Sequence, residues 1–231
     1  MKNYCHPERF LYSKKTGKRN VNKVGAGKYG AVYVGCTNNS CAFRIAVKKS
    51  LDDMSREFAV LKLAHKADPK HVPKPYLVHE CEPVGSIMYF EYIPSKTLDK
   101  YGTISKKTLY TLLKTVYKIN KAGIVHRDLH LNNILIENST GTPYITDFGK
   151  AETSGKTDPR FDYHLILNIL YHKLDEKSSV RKFIAKVVPK QYLLHTSPRV
   201  KRFRLRNDVD HFPELPSLKK VLAKLNVEIY K

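Results

Sequence analysis

The sequence predicts an α+β fold in which a β-rich first half is followed by an α-rich second half. Short runs of β-branched and aromatic residues prevail up to Tyr92, whereas apolar residues at helical spacing prevail from Ser105 onward. The chain has 231 residues, 42% of them hydrophobic, which is enough to bury the core of one globular protein with two lobes. The same apolar fraction argues against disorder.

The first lobe is predicted to span about 21–92 and to follow a basic leader, residues 1–20. Three short runs within it are rich in residues that favour strands. They are 31–34, 43–47 and 87–92. Residues 51–66 carry apolar side chains at helical spacing and predict one helix, whose start Asp52 and Asp53 are expected to cap.

The second lobe is predicted to span about 96–231 and to consist mainly of helices. The first is a long helix that begins near Ser105 and is closed by Gly123. Residues 125–147 predict a compact loop and a hairpin. Three further segments have helical periodicity. They are 163–173, 180–188 and 218–225.

The charge balance is strongly basic, with 42 Lys and Arg against 21 Asp and Glu, a formal net charge of +21. Such a field attracts polyanions, although solubility and a need to hold phosphates explain it equally well. Basic residues cluster at two places; the second alternates with apolar residues, which predicts a strand with one solvated basic face, and nucleic-acid binding there is a secondary hypothesis. The two clusters are Lys14, Lys15, Lys18 and Arg19, and then Arg199, Lys201, Arg202, Arg204 and Arg206.

The four cysteines, Cys5, Cys36, Cys41 and Cys81, show no Cys-x-x-Cys or Cys/His spacing typical of zinc sites. Cys36 and Cys41 flank a turn-like tetrad and are expected to be reduced cross-strand neighbours in a hairpin. The first residues form no apolar signal core, and no stretch approaches the length of a membrane span. The sequence therefore indicates an intracellular, soluble protein of the cytoplasm or nucleus.

A glycine-rich segment, Gly25-Ala26-Gly27-Lys28-Tyr29-Gly30, leads directly into a predicted strand that contains Val32. A dinucleotide-binding fold would place a helix after these glycines, so this order indicates the tip of a hairpin instead. A backbone without side chains can lie close over a polyphosphate. The segment is therefore a candidate phosphate-binding loop.

Lys48 ends the next predicted strand, Ile45-Ala46-Val47-Lys48. A lysine at the inner end of a strand behind the glycine loop could reach the α- and β-phosphate oxygens of a nucleotide. Its orientation needs a carboxylate partner, and Glu57 on the following helix is the candidate.

Two further motifs follow in the second half, His126-Arg127-Asp128-Leu129-His130-Leu131-Asn132-Asn133 and Thr146-Asp147-Phe148-Gly149. Phosphoryl transfer needs metal ligands and a carboxylate that receives the acceptor hydroxyl. Asp128 suits hydroxyl positioning. Asn133 and Asp147 suit binding of Mg²⁺, a hard cation that prefers oxygen ligands.

These four motifs, in this order, resemble the protein kinase superfamily over about Val21 to Asp162. The resemblance implies a bilobal protein-kinase-like fold with a truncated second lobe, and ATP with Mg²⁺, or with Mn²⁺, bound between the lobes. It implies roles for several apolar and backbone groups. Val32, Ala46 and Leu135 would hold adenine, Glu91 to Ile93 would form the hinge contacts, and Phe90 would be the gatekeeper. Asp162 resembles the aspartate that braces the catalytic loop, although capping of its own helix is an alternative.

The sequence departs from an ordinary regulated protein kinase in its compactness. Only residues 150–161 separate Gly149 from Asp162, and no Ala-Pro-Glu motif follows. Arg127 thus lacks the usual phosphorylated partner, and we expect that activity is not switched by phosphorylation of this segment. This compactness is similar to that of atypical kinases and of small kinases encoded by large DNA viruses. A viral origin would extend the expected location to a host cell or a virion.

The acceptor class depends on the residue that follows Asp128-Leu129. His130 stands where Ser/Thr kinases usually have a lysine, and the pattern Asp-Leu-His-x-x-Asn also resembles aminoglycoside and choline kinases. The resemblance implies an ATP-dependent Ser/Thr protein kinase, a phosphotransferase whose partner is a protein hydroxyl. A small-molecule kinase and a non-catalytic pseudokinase that binds partners through its basic surface are the alternatives.

Overall fold

The computed structural model describes residues 4–27, 30–83, 85–101, 105–155 and 159–187. They confirm the α+β class, with a sheet-rich first part and helices later in the chain. Two compact units meet in sequence between Pro94 and Ser95. The predicted helix 218–225 and the basic cluster that begins at Arg199 lie outside the described residues.

The first unit is built on an antiparallel sheet of five strands in the order β1-β2-β3-β5-β4. The strands are β1 (Asn22–Gly27), β2 (Gly30–Cys36), β3 (Arg44–Ser50), β4 (Pro75–Glu80) and β5 (Ser86–Glu91). Helix α1 (Ser55–Ala67) connects β3 to β4. This order places the glycine-rich hairpin and the strand that carries Lys48 side by side.

Helix α1 begins at Ser55, later than the predicted start at residue 51. The preceding chain is held in another conformation because the Ser86 hydroxyl donates to Asp52 O and accepts from Met54 N, at 2.7 and 2.9 Å. The expected capping pair is also only half right. Asp53 Oδ1 accepts from Ser55 N at 2.8 Å, and this hydrogen bond lowers the pKa of Asp53. Asp52 is bonded through its backbone, whose N–H donates to Ser50 Oγ and whose carbonyl accepts from Ser86 Oγ.

Apolar residues of the N-terminal segment, among them Tyr4, Phe10 and Leu11, pack against this sheet. Leu11 is 2% exposed, and Tyr12 exchanges two backbone hydrogen bonds with Cys36. The basic residues Lys14, Lys15, Lys18 and Arg19 are all exposed to solvent in the turn that follows Tyr12.

A disulfide between Cys36 and Cys41 corrects the expectation that these two cysteines are reduced, and a second disulfide joins Cys5 to Cys81. The cross-strand partner of Cys36 is Arg44, because the turn between β2 and β3 runs through residues 37–43. Cys41 lies inside this turn, and its Cα is 4.8 Å from that of Cys36, within reach of a disulfide.

The second unit combines a small sheet with three helices. Its strands are β6 (Ser95–Thr97), β7 (Ile134–Glu137) and β8 (Pro143–Ile145), and its helices are α2 (Lys106–Lys121), α3 (Arg160–Lys173) and α4 (Ser179–Val187). Ser105 caps α2 by accepting from Thr108 N, and Gly123 follows the helix at φ +79°. The helix buries its apolar face, including Leu109, Leu112 and Val116. Among the described residues, we find no helix with the length and apolar character needed to cross a bilayer.

Candidate active site

The glycine-rich segment forms the β1–β2 hairpin, in which Ala26 pairs with Ala31 and Gly27 with Gly30. Lys28 and Tyr29, at its predicted tip, lie outside the described residues. Gly30 has φ +133°, and a Cβ atom there would lie 2.1 Å from Lys49 O. Gly30 is therefore needed for close packing on β3, whereas a Cβ at Gly25 would have nothing within 4 Å.

Lys48 lies within β3, paired in register with Val32 on β2 and Met88 on β5. Its Nζ atom donates to both carboxylate oxygens of Glu57 at 2.8 Å. Glu57 occupies the first turn of α1, and both side chains are 11% exposed. The structure thus brings together the lysine and the carboxylate that the sequence proposed as a pair.

The residues predicted to contact adenine lie on several strands. Val32 is half-buried on β2. Ala46 is buried on β3 and pairs with Phe90 on β5. Leu135 belongs to the second unit, on β7. Their contact with a nucleotide stays a prediction.

The predicted hinge begins at the end of β5. Glu91 N donates to Lys74 O at 2.8 Å, and Glu91 Oε2 accepts from Lys74 N at 3.0 Å. Ile93, two residues further on, is buried. This segment is therefore fixed to the chain that precedes β4, while its role in nucleotide binding stays a prediction.

The loop that carries Asp128 is organised by one buried carboxylate, Asp162 in the first turn of α3. Asp162 is 0% exposed; its Oδ2 accepts from His126 N at 2.7 Å and from Asn120 Nδ2 at 2.9 Å. Its Oδ1 accepts from Arg127 N at 2.9 Å. Burial raises the pKa of Asp162, and His126 and the donated hydrogen bonds oppose that rise. Asp162 therefore braces the loop through the hydrogen bonds that it accepts.

His126 connects the loop to the Asp-Phe-Gly segment. Its ring is buried, with Nε2 3.0 Å from Thr146 O and Nδ1 3.3 Å from Asp128 N. Because a backbone N–H must donate to Nδ1, Nε2 carries the proton and donates to Thr146 O. The ring also packs against Phe148, with centroids 4.8 Å apart. These contacts give His126 a structural role.

The remaining predicted site residues lie on connected segments of the second unit. Asn133 Nδ2 donates to Asp128 O at 3.0 Å, and Thr146 N, just before Asp147, donates to Asn133 O at 3.0 Å. With Nδ2 engaged as a donor, Oδ1 is the atom of this amide that could ligate a metal. Asp147 has φ +64° and an exposed side chain.

Lys150 is a site residue that sequence reasoning missed. Its Nζ atom donates to Asp128 Oδ2 at 3.0 Å, whereas His130 Nε2 lies 3.8 Å from the same oxygen. The available signal was a lysine directly after Asp-Phe-Gly. The structure places an ammonium group beside the predicted catalytic carboxylate.

Arg127 has a carboxylate partner. Its Nη1 lies 3.1 Å from Glu152 Oε2, and the Glu152 backbone exchanges two hydrogen bonds with Val125. Arg127 itself has φ +64°. The ion pair and the backbone bridge together hold the start of the 150–161 segment against the loop that carries Asp128.

Residues 19–166 match the family model of the protein kinase domain. The chain is 30% identical over 152 residues to the negative regulator of sexual conjugation and meiosis from Schizosaccharomyces pombe, covering 58% of this chain and 32% of that protein. It is 29% identical over 163 residues to cysteine-rich receptor-like protein kinase 19 from Arabidopsis thaliana, covering 58% and 23%.

The family match covers more than half of the chain, and the chain belongs to the protein kinase family. It spans between about a quarter and a third of the length of these two curated relatives.

Proposed function

We propose that this protein is an ATP-dependent Ser/Thr protein kinase that transfers the γ-phosphate of Mg-ATP to a protein hydroxyl. The observation that carries the proposal is the braced loop around Asp128, whose carboxylate is buried yet has a cationic neighbour. The Lys48–Glu57 ion pair supports it from the first unit. Loss of Lys48, Asp128, Asn133 or Asp147 would have favoured a pseudokinase, and all four are present.

In the proposed reaction, Asp128 positions the acceptor hydroxyl for attack on the γ-phosphate and receives its proton. Lys48, oriented by Glu57, binds the α- and β-phosphates, and the glycine hairpin covers them. The Asp147 carboxylate and the Asn133 amide oxygen are hard donors that suit Mg²⁺ or Mn²⁺. The metal, when bound, neutralises phosphate charge, while the chain supplies positioning and electrostatic stabilisation.

Lys150 supplies a positive charge next to Asp128, and its Nζ atom lies closer to Asp128 Oδ2 than the Nε2 atom of His130 does. Its ammonium group, 3.0 Å from Asp128 Oδ2, holds that carboxylate in place and is suited to contact the transferred phosphate. This assignment explains why a histidine can occupy position 130, where Ser/Thr kinases usually have a lysine.

The ion pair of Arg127 with Glu152 supports activity without a phosphorylated activation segment, because Glu152 provides the negative charge that a phosphate would provide. We therefore expect phosphatase treatment to leave the transfer rate unchanged. Loss of activity together with loss of a phosphate from Thr153, Ser154 or Thr157 would contradict this expectation.

The acceptor class is tested by transfer of labelled γ-phosphate from Mg-ATP to casein, histone, the enzyme itself, an aminoglycoside and choline. We expect label on protein and none with the Asp147→Ala variant. Label on a small molecule alone would instead support a small-molecule kinase, which the Asp-Leu-His-x-x-Asn pattern keeps as the second candidate. ATP binding without any transfer would support a pseudokinase.

The exposed basic cluster Lys14, Lys15, Lys18 and Arg19 supports a further proposal, association with an acidic protein or another polyanion. Binding of this kind should weaken steeply as the salt concentration rises.

A further inference from the structure

Three metal-binding side chains meet in the first unit, outside the candidate active site. One potential ligand atom from each of Cys5, His79 and Cys81 lies within 4.8 Å of the other two. Two sulfurs and an imidazole are a donor set that zinc favours. The sequence shows no zinc spacing, because Cys5 is 76 residues from Cys81.

The local fold explains why the three groups meet. His79 lies near the end of β4, and Cys81 follows two residues later, so both side chains leave the same side of an extended chain. Cys5 comes from the N-terminal segment, which is anchored next to it by Tyr4. The Tyr4 carbonyl accepts a hydrogen bond from the Tyr89 hydroxyl, and its ring packs edge-on against Phe10, Tyr89 and His79. Aromatic packing therefore holds Cys5 in place independently of the bond to Cys81.

We propose that, once the Cys5–Cys81 disulfide is reduced, the two thiolates and the His79 imidazole bind a zinc-class divalent cation. A dithiol reductant delivers two electrons and two protons to the disulfide and becomes a disulfide itself. The cation then displaces the two thiol protons, and the three protein ligands leave a fourth position for water. The N-terminal segment is thus tied to the end of β4 by a disulfide under oxidising conditions and by a metal under reducing ones.

The chain contains a matched internal control. Cys36 and Cys41 form the other disulfide, and among the described residues no third His, Cys, Asp or Glu ligand joins them in a cluster. Reduction also frees these two thiols, but they lack the imidazole. A metal signal that depends on His79 and Cys5 therefore separates the proposed site from general thiol binding.

The test is titration of the full chain with Co²⁺ after reduction by dithiothreitol and anaerobic removal of the reductant. We expect one Co²⁺ per chain, with a thiolate-to-cobalt charge-transfer band and visible bands of tetrahedral intensity, both abolished by added Zn²⁺. The Cys5→Ser variant should lose the charge-transfer band. His79 is exposed, so its replacement by Ala should not disturb the core. We expect His79→Ala to weaken Co²⁺ binding by at least about tenfold, because even the loss of a residue that only supports a metal ligand lowers metal affinity by about that factor.

The Cys36→Ser/Cys41→Ser variant should keep the full spectrum, and the oxidised wild type should show none. Absence of a cobalt spectrum in the reduced chain would overturn the proposal. So would a spectrum that survives Cys5→Ser, or one that depends on Cys36 and Cys41. Circular dichroism of each variant confirms that it is folded. Because the readout is spectroscopic, this result is independent of whether the chain transfers phosphate.

Discussion

The candidate site residues of the two units are held by different kinds of partner. In the first unit, Lys48 is oriented by another side chain, Glu57, and both belong to regular elements. In the second unit, the loop that carries Asp128 is irregular, and its backbone N–H groups are bonded to the buried Asp162. A side-chain partner can be substituted together with its mate, whereas the backbone N–H groups of His126 and Arg127 remain in place when Asp162 is replaced. The arrangement in the second unit should therefore be the more fragile one.

The largest expected effect is that of Asp162→Ala. The substitution leaves the N–H groups of His126 and Arg127 and the amide of Asn120 without their shared acceptor inside the protein. We expect the free energy of unfolding to fall by about 3 kcal/mol, within the usual cost of unsatisfied buried donors, with loss of phosphate transfer. Urea unfolding measures the loss. Asp162→Asn retains one acceptor oxygen and should lie between Ala and wild type, and wild-type stability of the Ala variant would refute the brace.

A smaller and separable effect is expected in the first unit. Lys48→Met and Glu57→Gln should each lower the free energy of unfolding by about 1–3 kcal/mol, because each disrupts a nearly buried charge pair. The double variant should lose less stability than the sum of the two. All three should transfer phosphate poorly, since the cation or its orientation is gone. If the two stability losses were strictly additive, Lys48 and Glu57 would not be coupled. The difference drawn here between a paired side chain and the backbone donors of Asp162 would then not hold.

The smallest effect on stability, but a clear one on catalysis, is expected for Lys150→Met. Loss of the cation beside Asp128 should lower kcat by about 10- to 100-fold and leave KM for ATP nearly unchanged, because this lysine is assigned to the transition state. Lys150→Arg keeps the charge and should recover part of the rate. Steady-state kinetics measures both constants. A Lys150→Met variant with wild-type kcat would contradict the role of Lys150 in the transition state and would favour His130 instead.

The same contrast explains how much the sequence could predict. Helix α2 was predictable because its apolar periodicity, its Ser105 cap and Gly123 all agree. The Lys48–Glu57 pair followed from a strand succeeded by a helix. The contact of Lys150 with Asp128 was not predictable, because it joins two irregular segments 22 residues apart.

The start of α1 was wrongly predicted, and the Cys5–Cys81 disulfide was not predicted, for a related reason. The Ser86 hydroxyl that holds Asp52 and Met54 comes from a distant strand, and Cys81 meets Cys5 only through tertiary packing. Local pattern carries no information on such contacts, so periodic elements were predictable and the partners of loops and termini were not.

The most direct test of the proposed catalysis is the rate of γ-phosphate transfer from Mg-ATP by the Asp128→Asn variant. It is compared with wild type at an ATP concentration that calorimetry shows to saturate both proteins. Asn keeps the shape of the side chain but cannot receive the acceptor proton. We predict unchanged ATP affinity and a rate about 10²- to 10⁴-fold lower, the range typical of a lost general base. Transfer by the variant at the wild-type rate would contradict the account.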